Sequence, residues 1–100
     1  MKVFAMGNFI KPITDEQRAQ LMPREVPDTL RLYLDGVIEQ MFFRQDKPGV
    51  VFLMNVDSIE KAKTITDKMP LVEAGLLQDE YLPVGPLKPL GLLLQGNQAS

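Results

Sequence analysis

The chain contains no cysteine and no histidine. Disulfides, thiol nucleophiles and cysteine–histidine zinc sites are thereby excluded. So are a histidine general base, a Ser-His-Asp triad and a proximal-histidine haem. Acid–base chemistry must fall to Asp, Glu, Lys, Tyr, Arg-polarised water or the substrate itself. Positive charge is also in short supply. Eleven Lys and Arg stand against thirteen Asp and Glu, a net charge of −2. The basic residues are scattered, which argues against nucleic acid as a partner. No apolar run reaches the ~18 residues that cross a bilayer. The opening MKVFAMGNF lacks the long apolar region and cleavage site of a signal peptide. A cytoplasmic protein without a membrane partner is expected. P-loop, GxGxxG and repeat patterns are missing, and no carboxylate spacing matches a Mg²⁺ or Ca²⁺ loop. No cofactor and no metal are expected.

What is present suits one small globular domain. One hundred residues, 45% apolar and 24% charged, bury a core of modest depth. The expected domain runs over residues 1–90, with 91–100 as a C-terminal arm. Lys2 to Gly7 is a short apolar run closed by Gly7-Asn8, and reads as a first strand. Thr14 followed three residues later by Gln17 is a capping box, with Asp15 and Glu16 suited to a helix N-terminus. Met22, Val26, Leu30 and Leu34 then recur at spacings of four and predict the helix's inner stripe. Pro23 and Pro27 interrupt the stripe and predict a kink or two pieces meeting near Pro23. Asp35-Gly36 ends the unit.

Val37 to Arg44 reads as a second strand and Val50 to Val56 as a third. Asp46-Lys47-Pro48-Gly49 between them makes a hairpin turn. Ser58 caps a second helix with Ile59, Ala62, Ile65, Thr66 and Met69 inward. Pro70 follows that helix, and Gly75 leads into a last strand, Leu76 to Val84. The order β-α-β-β-α-β is the ferredoxin-like split βαβ arrangement. The fold class is therefore α+β: a four-stranded antiparallel sheet with two helices on one face.

Two helices cover one face only, and a face meeting water should turn polar. Here the first strand sets Val3 and Ala5 against Phe4 and Met6, and the third sets Val51 and Leu53 against Phe52 and Met54, so both faces are apolar. An open face of that kind exceeds what monomers usually tolerate. A second copy packed face to face, closing a dimeric barrel, is the expected remedy. The alternative is the C-terminal segment folding back.

Specific elements resemble a known family. They are the strand Gln40-x-Phe42-x-Arg44, the turn Asp46-x-x-Gly49, and the helix opening Asp57-Ser58. Pro70-Leu71 at the helix exit and Glu80 before Pro83-x-Gly85-Pro86 complete the set. Together, over residues 36–90, they resemble the muconolactone isomerase-like branch of the dimeric α+β barrel superfamily. The resemblance implies a homodimer, often assembled further, and a cofactor-independent isomerase acting on a small carboxylated or lactone-type metabolite. True muconolactone isomerases carry a histidine in the second strand, which this chain lacks, and end in a different tail. A non-catalytic oligomeric module that binds a small ligand, or serves structure alone, is the competing reading. A cofactor-free monooxygenase of the same fold is the third.

Six side chains are candidates for a site. Gln40, Phe42 and Arg44 share one face, polar groups beside aromatics, as in a small-molecule pocket. Arg44 suits a substrate carboxylate or enolate oxygen; its structural alternative is an ion pair with Asp46 or Glu80. Glu80 is the first choice for proton transfer and Glu39 the second, because a carboxyl in an apolar cavity titrates nearer neutrality. Their structural alternative is a solvated acid or a dimer salt bridge. Tyr81 offers a hydrogen bond to a ligand, or is a core or interface tyrosine.

Overall fold

The structure, a computed structural model, describes residues 1–86. The end of the expected domain and the arm at 91–100 lie outside the described residues. Strands β1 (Lys2–Phe9), β2 (Ile38–Phe43), β3 (Gly49–Asn55) and β4 (Leu77–Val84) form one sheet. Helices α1 (Asp15–Leu34), α2 (Ile59–Asp67) and the single turn α3 (Pro70–Glu73) are the other elements of the described residues. The strand order is β2-β3-β1-β4, with every neighbouring pair antiparallel. This is the ferredoxin-like α+β fold that the alternating strand and helix signals predict.

The capping box forms as expected. Thr14 Oγ1 accepts from the Gln17 N–H at 3.1 Å, and the Gln17 side chain accepts from the Thr14 N–H at 3.0 Å. Ser58 Oγ likewise accepts from the Lys61 N–H at 3.0 Å at the start of α2. Both α1 and α3 stop in the same way. Gly36 and Gly75 adopt φ of 79° and 74°, which side chains disfavour. The next residues, Val37 and Leu76, bond back to the carbonyls of Leu32 and Leu71. These are Schellman closures, and they aim the chain from helix into strand.

Three local expectations are corrected. First, of the kink or two pieces expected near Pro23, two pieces are not found: α1 is one helix that contains Pro23 and Pro27. The two prolines leave the carbonyls of Ala19 and Pro23 without an i+4 donor. Both of those residues are exposed, so water can satisfy the carbonyls and the helix need not break. Second, Pro70 does not only follow a helix; it opens α3 at the first position, where its missing N–H costs nothing. Third, β2 does not alternate regularly. Ile38 pairs with Met54 but Gln40 pairs with Leu53, so Glu39 is an extra residue in a bulge. Ile38 thereby joins the helix-side core, although the plain alternation puts it opposite Met41 and Phe43.

The core lies between the sheet and the helices. Val3, Ala5, Ile38, Phe52, Met54, Val56 and Ala62 form its main cluster, and Leu71, Leu76 and Leu77 a second. All three helices lie on this side. The other side carries Phe4, Met6, Val51, Leu53, Phe42 and Leu82. Phe42 and Leu82 are about half exposed there (50% and 49%).

Gly49 holds the β1–β3 end of the sheet together. A Cβ built at this position would sit 2.1 Å from the Gly7 carbonyl oxygen and 2.9 Å from Arg44 Cδ. The backbones touch where any side chain would stand. Gly49→Ala is expected to cost at least about 3 kcal/mol, read as a drop of roughly 12 °C or more in the circular-dichroism melting temperature.

Candidate functional site

The apolar stripe on α1 was expected to face inward as a line, yet helical geometry bends it around the cylinder. Spacings of four overshoot a 3.6-residue turn by about 40° each. Met22 therefore starts on the inner side, while Val26 and Leu30 are 48% exposed and Leu34 is 81% exposed. The line that faces the sheet instead runs through Met22, Glu25, Thr29 and Leu32. Glu25 is only 7% exposed. An acid thus occupies a core position of the helix.

Between α1 and the β2–β3 edge lies a cleft of about 610 Å³. Its walls are apolar: Val26 and Leu30 of α1, Met41 and Phe43 of β2, Phe52 of β3 and Leu77 of β4 among them. Glu25 is the one carboxyl that lines it, and Arg44 stands at the strand end of the same cleft. The size falls within the range of small-molecule sites, and an apolar wall with a few polar groups is their usual make-up.

Glu25 Oε1 accepts a hydrogen bond from the Leu71 N–H at 2.8 Å, tying α1 to the first turn of α3. The Thr29 side chain also reaches this carboxyl. Burial raises the Glu25 pKa above its ordinary value; the Leu71 N–H pulls it back in part, and the charge of Asp28 pushes it up again. Such a group takes and returns protons closer to neutral pH than a solvated glutamate.

The expected site residues divide between the two sides of the sheet. Phe42 and Arg44, on the uncovered side with Gln40, reach the rim of the cleft around the edge strand β2. Arg44 is held by Asp46 through two bonds, Nε to Oδ1 at 2.9 Å and Nη2 to Oδ2 at 2.7 Å, and by Asn8 Oδ1. The Asp46 partner raises the Arg44 pKa, and Arg44 in turn holds Asp46 down at about 2. The arginine is therefore anchored, with its stem against the cleft. Gln40 and Glu80 point to the uncovered side, Gln40 opposite Leu53 and Glu80 opposite Met6. Glu39 pairs with Lys2, whose ammonium lowers its pKa and also reaches Asn55 Oδ1 at 3.0 Å. Tyr81 lies under α2, its hydroxyl 2.5 Å from Thr66 Oγ1, and burial raises its pKa. None of Gln40, Glu39, Glu80 and Tyr81 lines the cleft. Among the described residues, no group of three or more Asp and Glu is placed to hold a metal ion. No described helix is long and apolar enough to cross a membrane.

Sequence reasoning passed over two acids. Glu25 and Thr29, four apart, fall on the inward line between Met22 and Leu32, and that polar interruption of a buried face is the signal for Glu25. Asp79 is the other. Strand alternation places it on the helix side with Leu77 and Tyr81, yet it is charged in form. Its Oδ1 is enclosed and has no hydrogen-bond partner among the described residues.

No family model matches the chain, and no curated protein matches it. Solved structures do. One is the 5-chloro-2-hydroxyhydroquinone dehydrochlorinase TftG from Burkholderia phenoliruptrix AC1100, in complex with 2,5-dihydroxybenzoquinone. It superposes with a TM-score of 0.69 over 89% of this chain and 98% of its own, at 14% identity. At that identity the match speaks for the fold alone, the ferredoxin-like α+β architecture.

Asp79 makes a measurable demand on stability. Burial raises its pKa from 3.8 to about 6, with the charges of Asp67 and Glu25 adding to the rise and Lys63 opposing it. A raised carboxyl favours the protonated folded state, so its contribution is lost as pH climbs from about 4 through 6. Asp79→Asn removes that loss. In urea unfolding, the stability advantage of the variant over wild type should be near zero at pH 4. It should grow to about 2–3 kcal/mol by pH 7.5, somewhat less where water reaches the group.

Proposed function

We propose that this protein processes a small, largely apolar ring compound in the cleft between α1 and the β2–β3 edge. Glu25 moves the proton. The observation that carries the reading is a single buried carboxyl in an otherwise apolar cleft of about 610 Å³. The match to a dehydrochlorinase bound to a dihydroxybenzoquinone supports the same class of ligand. A compact ring bearing hydroxyl or carbonyl groups fits such walls, with its polar edge toward Glu25.

The chemistry proposed is cofactor-independent isomerisation of the double-bond-shifting kind. Ionised Glu25 removes a proton from the carbon beside a carbonyl. The electron pair moves onto the carbonyl oxygen as an enolate. Protonated Glu25 then returns the proton two carbons away, and the double bond has shifted. The raised pKa of Glu25 suits it to both halves, since neither proton transfer is steeply uphill. Apolar walls exclude water that would otherwise quench the enolate.

The assembly proposed is a homodimer formed through the uncovered sheet face. Phe4, Met6, Phe42, Val51, Leu53 and Leu82 supply its apolar centre, and Glu80 stands among them opposite Met6. The charge of Glu80 reaches Arg44 on this side. In the dimer, Glu80 and Gln40 would become interior groups, which keeps a role for them in a shared site open to test.

Native mass spectrometry of the purified protein should find a bound small ring compound. Calorimetric titration with 2,5-dihydroxybenzoquinone, catechol and hydroquinone as probes should find at least one that binds. Leu30→Trp, which fills the cleft from an exposed position, should abolish that binding. No binding by any probe, or binding untouched by Leu30→Trp, would overturn the proposed site. Once a substrate is in hand, Glu25→Gln keeps the acceptor for Leu71 and should lower kcat about 10²–10⁴-fold with little loss of binding.

Light scattering at micromolar concentration should give the dimer mass for wild type. Leu82→Glu puts a charge at the centre of the proposed interface and should give a folded monomer. A wild-type monomer would remove the dimer from the reading.

A further inference from the structure

Beside the cleft lies a second hollow, of about 610 Å³, at the turn from β1 into α1. Phe9, Met22 and Pro48 line both spaces, so the two meet along one rim. Ile10, Pro12 and Ile13 complete an apolar floor. The charged side chains that line the hollow are Lys11 and Arg18, with no Asp or Glu among the described residues there. The turn that carries Lys11 is held on both sides. Before it, the Phe9 and Ile10 N–H groups donate to the carbonyls of Pro48 and Leu76 at 3.4 and 2.9 Å. After it, Ile13 packs on the Leu71, Leu76 and Leu77 cluster, and the capping box fixes Thr14.

We propose that this hollow receives a carboxylate carried by the ligand of the cleft, held by Lys11 and Arg18. The ligand is then an anionic ring compound that lies across the shared rim, with its reacting edge toward Glu25. This rests on the reading of the cleft as the site of the ring compound. Charge complementarity is the main argument. A chain of net charge −2 repels an anion as a whole, yet this hollow is lined by two cations and no described acid. Apolar walls around such a cluster focus its local field. Arginine brings a planar fork that matches a carboxylate, and lysine a compact point charge. Spacing agrees. Arg18, Met22 and Glu25 follow one another along α1 at steps of four and three, one side of the helix. Seven residues separate Arg18 from Glu25, about 10 Å of helix rise. That gap leaves room for one ring and its substituent, and it keeps the ligand's charge away from the carboxyl of Glu25.

The other cations near the cleft are engaged elsewhere. Arg44, the residue that the sequence offers for a substrate carboxylate, is anchored by Asp46 and Asn8. Arg31 is paired with Asp28 at 2.8 Å, and Arg24 faces Glu73 at 3.7 Å. Lys11 makes no ion pair with a described residue. Arg18 has Asp15 at 3.7 Å, beyond hydrogen-bonding distance, and the Asp15 side chain is fully exposed. An exposed pair of that kind holds its arginine weakly, so a ligand carboxylate can take the place of Asp15. The task expected of Arg44 thus passes to Lys11 and Arg18.

The test is calorimetric titration of the full chain with two matched probes, hydroquinone and 2,5-dihydroxybenzoate, which differ by one carboxylate. At about 0.02 M salt, wild type should bind 2,5-dihydroxybenzoate about tenfold or more tighter than hydroquinone. At about 0.5 M salt most of that advantage should disappear. The double variant Lys11→Gln with Arg18→Gln alters two exposed side chains. It should lose the advantage while hydroquinone binding stays unchanged. Lys61→Gln with Lys68→Gln removes the same net charge at positions that line neither space, and should keep the advantage. A carboxylate that gives wild type no advantage overturns the proposal. So does an advantage that survives the loss of Lys11 and Arg18, or one that vanishes with Lys61 and Lys68. Binding of 2,5-dihydroxybenzoate that Leu30→Trp leaves untouched also overturns it, because the ligand would then not reach into the cleft. Where hydroquinone binds equally well and Leu30→Trp abolishes it, the cleft stands and the carboxylate site falls. Where neither ring binds, both fall.

Discussion

Helices can cover only one side of a four-stranded sheet, and in this protein both sides are apolar. That constraint organises everything else. The covered side holds the core clusters around Met54 and Leu77. The other side keeps Phe4, Met6, Phe42, Val51, Leu53 and Leu82 in a layer that no described helix covers. The covered side is also incompletely filled, because α1 is the longer helix and stands away from the β2–β3 edge. The gap between them is the cleft. Its position follows from the sheet order, which puts β2 at one edge and leaves Met41 and Phe43 reaching under a helix that meets them only in part.

Glu25 links architecture to chemistry. Its hydrogen bond to the Leu71 N–H gives α3 a fixed place against α1, which is reason enough for an acid to be buried there. The same bond uses one oxygen and leaves the carboxyl at the wall of the cleft. A structural role and a chemical one therefore coexist in one side chain, and they separate when the oxygen is kept and the charge removed. The arginine at the other end illustrates the opposite case. Arg44 is anchored by Asp46 and Asn8 through three of its five N–H donors, so it fixes the turn after β2.

Glycines set the close approaches on which the acids depend. Gly49 lets β3 touch the backbone of β1, at the same end where Arg44 is anchored. Gly7 leaves the recess that Asp79 occupies. In both places the backbone comes nearer than a side chain permits, and a polar group settles beside the opening.

Strand and helix order, both N-caps, the two glycine stops and the doubly apolar sheet were legible in the sequence, because each depends on neighbours within a few residues. Thr14 with Gln17, Ser58, Gly36 and Gly75 are local signals, and local geometry obeys them. The shared parity of Gln40, Phe42 and Arg44 was legible for the same reason, since a strand alternates strictly until a bulge intervenes. What tertiary structure decided was which of these residues meet. The bulge at Glu39 depends on how β2 lies against β3, and it moved Ile38 into the core. The rotation of α1 depends on packing against the sheet, and it turned Leu34 outward and Glu25 inward. Whether a carboxyl is solvated or enclosed is a property of everything around it. The sequence therefore drew attention to Glu80 and Glu39, acids within strands, while burial fell on Glu25 and, in part, on Asp79.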